Sequence, residues 1–171
     1  PHQGAPAEPP TPHEGDAAVG GVTASPTPCV LVPLVGAHAT IAAGRPVMPL
    51  HVDEGGYREL LAADFGAGRN EIVALWQVDL DGDGSHEVIA VMNYLDGIGG
   101  GAIGLVSATG GGGLRSFVLC RTAEFFPTLV GLMETQGAGA LSVVLSDDEG
   151  TRVVALQRGR PVPAQPGDCV L

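Results

Sequence analysis

Lysine is absent from this chain: all eight basic residues are arginine, set against nineteen acidic ones, for a formal net charge of −11 over 171 residues. Without lysine there is neither a P-loop nor a Schiff-base nucleophile. So acidic a surface repels nucleic acid and anionic lipid, and neither is expected as a partner. Aromatic residues make up only 4% of the chain, too few for a sugar-stacking face. The three cysteines, Cys29, Cys120 and Cys169, form no CxxC or CxxCH, so zinc ribbons, thioredoxin chemistry and c-type haem lose their basis. His2, His13, His38, His51 and His86 make no HExxH or i,i+4 metal pair, and no GxSxG elbow occurs. Gly99 to Gly104 formally satisfies GxGxxG, but Leu105-Val106-Ser107-Ala108-Thr109 and four glycines follow, where a dinucleotide site needs a helix. Residues 17 to 44 carry no Asp, Glu, Lys or Arg, yet Pro26, Pro28 and Pro33 with Gly20, Gly21 and Gly36 break any helix there, so no membrane span is expected.

Against these absences stands one dense cluster, Asp79-Leu80-Asp81-Gly82-Asp83-Gly84-Ser85-His86-Glu87. Four carboxylates around two glycines suit calcium, a hard cation that takes six to eight oxygens. Glycines supply the φ values that let a backbone wrap an ion. Asp79, Asp81 and Asp83 occupy positions one, three and five, the Ser85 carbonyl fits position seven, and Glu87 at position nine closes the shell. An ordinary polar turn would gain nothing from gathering these acids and would suffer their mutual repulsion. So filled a shell leaves few open positions for a substrate, which makes the expected Ca2+ structural rather than catalytic. An EF-hand is excluded, because its bidentate Glu belongs at position twelve and Ala90 stands there. The flanks, 72–78 and 88–94, read as strands with apolar residues on both faces. A DxDGDGxxE loop between two strands resembles the FG-GAP and VCBS-like calcium repeats of integrin-type β-propellers, the close match covering residues 71–94.

Short apolar runs recur between turn signals at 29–35, 47–52, 72–78, 88–94, 102–108, 114–120, 129–133, 141–145 and 152–156. Only Tyr57 to Phe65 has helical spacing. This rhythm predicts an all-β domain over 29–171. Residues 146–151 form a predicted hairpin with Gly150 in the left-handed position. Laying 136–144 on 81–89 aligns both glycines and the β pair after them at an offset of 55, with Gln136, Ala138 and Ser142 in place of acids. Such a period suits a propeller blade, and the resemblance points the same way, but the chain holds at most three units where closed propellers need about four to eight. The expected architecture is a β-sandwich or a partial propeller-like array of blade-like hairpins.

Residues 1–28, rich in Pro, Gly, Ala and Glu, cannot bury enough apolar surface to fold alone and read as an arm. The arm is expected to pack on a protein partner or on another copy of the chain, as a polyproline-like strap or an added strand, Val19 to Ala24 being the better strand candidate. Pro1 at the start fits a cleaved secretory signal, and calcium is plentiful outside cells, so the expected location is secreted, cell-surface or periplasmic. An odd number of cysteines there suggests one disulfide, pairing Cys169 with Cys29 or with Cys120, against three separate buried thiols. These features together describe a non-catalytic calcium-binding module for binding, adhesion or assembly. The alternative is a secreted hydrolase-type enzyme domain in which calcium only stabilises the scaffold. A deep pocket with convergent acid, base or nucleophile would favour that enzyme.

Overall fold

In the computed structural model, residues 29–51, 56–65, 70–95, 99–135 and 139–164 are described. The expected arm, Cys169 and the middle of the second glycine loop fall outside them. Eleven strands and one helix follow in chain order: β1 (Cys29–Pro33), β2 (Thr40–Ala42), β3 (Arg45–Leu50), α1 (Tyr57–Phe65), β4 (Asn70–Val78), β5 (Glu87–Tyr94), β6 (Gly101–Ala108), β7 (Leu114–Thr122), β8 (Thr128–Thr135), β9 (Leu141–Asp147), β10 (Gly150–Gln157) and β11 (Arg160–Pro163). They build two antiparallel sheets, one of six strands in the order β2-β3-β4-β5-β6-β7, the other of five in the order β1-β8-β9-β10-β11. Of the two expected arrangements this is the sandwich-like one.

The larger sheet is apolar on both faces because both are covered. Its inner face contributes Trp76, Val78, Ile89, Ile103 and Leu105 to a core completed by Leu132, Leu141, Val143 and Leu145 of the smaller sheet. Alternate residues on the same strands, among them Val88, Ala90, Met92, Ala102 and Val106, face the other way and pack beneath α1 with Leu61 and Phe65. Leu61 and Phe65 stand four residues apart, on one side of the helix. The helix comes close because β6 carries Gly104 there: a Cβ at that position would lie 2.8 Å from the Phe65 ring. Arg121 of β7 stacks over the same ring at 5.6 Å from its centroid and donates to the Asp64 carbonyl at 3.3 Å. Gly104 belongs to the GxGxxG-like run, so at least this glycine serves close packing.

Two strands were not anticipated from the sequence, β2 and β11. Each is the outer arm of a two-residue hairpin whose turn takes positive φ twice, Ala43-Gly44 at 51° and 74° and Arg158-Gly159 at 52° and 68°. Such turns match the twist of a hairpin, but Asn-Gly or Asp-Gly is their usual signature. Both strands lie at sheet edges, where Pro46 beside β2 and Pro161 and Pro163 in β11 are tolerated. The expected hairpin at 146–151 is present, with Gly150 opposite Asp147 and at a φ of 120°.

The chain direction gathers the β4–β5, β6–β7, β8–β9 and β10–β11 connections at one end of the sandwich. β4 with β5 and β8 with β9 are both antiparallel neighbours with a bulge, at Ile72/Ala74 and at Leu129/Gly131, but these bulges lie 57 residues apart rather than the 55 of the expected repeat, and β6 with β7 is bulged as well. Cys120 is a free buried thiol, which removes it from the disulfide alternatives; burial is also the main reason its pKa is raised.

Candidate metal centre

Residues 79–86 connect β4 to β5, and side-chain acceptors rather than a regular ladder shape them. Asp79 accepts from the Gly82 amide at 2.7 Å through Oδ1 and from the Gly84 amide at 3.2 Å through Oδ2. Asp81 Oδ1 accepts from the Asp83 amide at 3.3 Å, and Asp83 Oδ1 from the Ser85 amide at 2.7 Å. Short acidic side chains favour such local bonds, which hold the loop in a tight coil. Gly82 and Gly84 take φ of 79° and 88°, a region other residues enter only at a cost of about 1–2 kcal/mol.

The loop is anchored from both sides. Leu80, 1% exposed, plugs it into the inter-sheet core, and its carbonyl accepts from the Leu141 amide of the opposite sheet at 2.7 Å. Arg45, at the start of β3, donates through Nη1 to the carbonyls of Asp79 at 2.9 Å and Leu80 at 3.3 Å, and through Nη2 to the Gly139 carbonyl in the β8–β9 loop. One guanidinium therefore clamps the acidic loop to its acid-poor counterpart. A Cβ at Gly82 would sit 2.5 Å from Arg45 Nη2, so a side chain there would push the guanidinium from its carbonyls in addition to straining φ. Arg45 escaped the sequence reading because it stands 34 positions before Asp79 and no local pattern marks it.

Carboxylate oxygens of Asp79, Asp81 and Glu87 lie within 4.8 Å of one another. Oxygens on opposite sides of a calcium ion bound at about 2.3–2.6 Å are separated by about this much, and the all-oxygen donor set suits a hard cation rather than zinc. Asp83 falls outside the trio: its Oδ1 is bonded to the Ser85 amide, and its contribution at this distance is charge. Ser85 donates that amide, while its carbonyl has no hydrogen bond among the described residues.

Glu87 is the odd acid of the set. It begins β5 opposite Val78 and is only 2% exposed, with Oε2 accepting from the Leu80 amide at 2.9 Å. Burial pushes its pKa up to about 7, against the pull of the Leu80 amide and with added repulsion from Asp81, Asp83 and Asp79. Asp81 is raised too, first by burial and then by Asp83 and Asp79. Without a counter-ion, a buried carboxylate beside three acids opposes its own ionisation. A divalent cation would remove that opposition.

Among the described residues, two cavities of about 420 and 570 Å3 are lined mainly by aliphatic side chains, and neither lining contains His, Asp, Glu or Cys. No protein-family model matches the chain, and no curated protein or solved structure is similar to it.

Proposed function

We propose that the protein is a calcium-binding β module whose ion stabilises the loop end of the sandwich, and that it serves binding, adhesion or assembly rather than catalysis. The observation that carries this is the convergence of Asp79, Asp81 and buried Glu87 within 4.8 Å in a loop held by its own amides and by Arg45. In the proposed site these three supply carboxylate oxygens and Ser85 its carbonyl, while Asp83 adds negative charge or turns inward as a further ligand. Calcium contributes no bond-making chemistry; it neutralises the acids and fixes the turn. The resemblance of DxDGDGxxE to FG-GAP and VCBS-like repeats agrees with this role.

Asp81→Ala removes a ligand whose one bond within the loop, from the Asp83 amide at 3.3 Å, is the longest of the set, so its expected effect falls mainly on the metal. Titration calorimetry should show calcium affinity reduced by at least about tenfold, the equivalent of 1.4 kcal/mol. Unchanged affinity in that variant would rule out this ligand set.

Assembly is supported by the composition of residues 1–28 and by β1, an edge strand without charged residues whose Val30 and Leu31 are 46% and 40% exposed. Uncharged edges of this kind accept added strands. Deleting residues 1–24 is expected to leave a folded β domain and to reduce self-association or partner binding. Light scattering at matched calcium checks self-association directly, and a truncated protein that assembles like the full chain would exclude that role for the arm. The proposed disulfide joins Cys29 to Cys169, since Cys120 is free.

A further inference from the structure

The same end of the sandwich carries a second polar site of opposite sign. Between the β6–β7 and β10–β11 turns lies a cavity of about 270 Å3 lined by Ser107, Thr109, Gly110, Arg115, Arg158 and Arg160, with no carboxylate in its wall. Three of the chain's eight arginines thus meet at one pocket. Elsewhere arginines are engaged: Arg45 with loop carbonyls, Arg121 with Asp64 and Phe65, Arg152 with Asp147 and Glu149. Arg115, Arg158 and Arg160 make no ion pair or side-chain hydrogen bond among the described residues. All three are exposed, and in a chain of net charge −11 they form a local positive patch open to an anion.

The walls fit such a guest. Thr109 closes the β6–β7 turn, its amide donating to the Gly113 carbonyl at 2.7 Å and its carbonyl accepting from the Gly112 amide at 2.9 Å. The amides of Gly110 and Gly111 make no hydrogen bond among the described residues, and a Cβ at either would meet nothing within 4 Å. Free amides of a glycine turn are ready donors to an anion. On the other wall Arg158 holds a left-handed φ of 52°, where Gly or Asn would sit with less strain. Its neighbour Gly159 rests on β6: a Cβ there would lie 3.5 Å from Ser107 Oγ. Ser107 is 3% exposed, and its hydroxyl has only a 3.3 Å bond to the Ala108 carbonyl.

We propose that this pocket binds the tetrahedral oxyanion of a small phosphate or sulfate ester through Arg115, Arg158 and Arg160 and the Gly110 amide. Guanidinium forks pair with two oxygens at once, and the size of the cavity together with the acidic surface elsewhere selects a small ligand over a polyanion. The site is independent of the calcium proposal. Inorganic sulfate is the first probe, titrated into the labelled full chain while amide resonances are followed by NMR. Inorganic phosphate is titrated separately after dialysis out of calcium. Saturable shifts at Ser107, Thr109, Gly110 and Gly111 are expected, with affinity lowered at least about tenfold, or 1.4 kcal/mol, in Arg158→Ala/Arg160→Ala. Arg152→Ala, which removes an ion-paired arginine, should bind as the parent does. Arg158→Gly relieves the positive-φ strain while deleting the guanidinium, so weaker binding in that variant cannot be loss of fold. A response to either anion supports the tetrahedral class, and tighter binding of one assigns the ester type. Shifts that never saturate, or that are equal in the parent, in Arg158→Ala/Arg160→Ala and in Arg158→Gly, mean an adventitious ion only and overturn the proposal.

Discussion

Chelating calcium is expected to lower the melting temperature at neutral pH by roughly 5–10 °C. When free calcium stands about a hundredfold above the dissociation constant, mass action contributes about 2.7 kcal/mol, and each kcal/mol moves the midpoint of a domain of this size by roughly 2–4 °C or somewhat more. The stabilisation arises at the loop, where Asp79, Asp81 and Glu87 converge and the charge of Asp83 adds to their repulsion. Differential scanning calorimetry with calcium and then with excess chelator checks it, with Asp81→Ala as the comparison whose midpoint should barely respond. Superimposable parent scans would mean that the nine residues are only a turn.

Glu87 gives the calcium-free protein an unusual pH dependence. Its folded pKa of about 7 lies above its ordinary 4.5, so its favourable contribution is fully present below pH 4.5 and is lost as pH rises through about 7. Calcium-free protein should therefore be more stable at pH 5 than at pH 8, by up to about 3 kcal/mol from this group. Asp81, also raised, acts in the same direction. Glu87→Gln keeps an oxygen for the Leu80 amide but removes the charge. In chelator at pH 8 this variant should melt above the parent and show a flatter pH profile, while losing most of its response to calcium. Urea unfolding across pH measures both effects. A variant that keeps the full calcium response would contradict the role given to Glu87.

How much was legible depended on how local each signal is. Helix α1 was readable from the spacing of Tyr57, Leu61 and Phe65, and the long strands from β-branched runs between glycine and proline turns. Apolar residues on both faces of 72–78 and 88–94 already implied burial on two sides, which the second sheet and α1 supply. The edge strands were hidden because Ala43-Gly44 and Arg158-Gly159 lack the asparagine or aspartate that marks such turns, and because three residues at β2 and a proline-bearing β11 carry little pattern. At the site, four acids within nine residues announced themselves. Three features needed the fold: Arg45 reaching in from another strand, Glu87 buried where β5 begins, and Asp83 bonded to the Ser85 amide and outside the 4.8 Å trio. The arginine pocket was equally invisible, since it joins turns more than forty residues apart.

The most direct test of calcium at this loop is a crystal structure of the protein grown with calcium, using anomalous scattering to locate the ion. Calcium binding here predicts an anomalous peak within about 2.3–2.6 Å of carboxylate oxygens of Asp79, Asp81 and Glu87 and of the Ser85 carbonyl. A loop that keeps its present hydrogen bonds with no peak among those oxygens, in crystals grown with millimolar calcium, would contradict it.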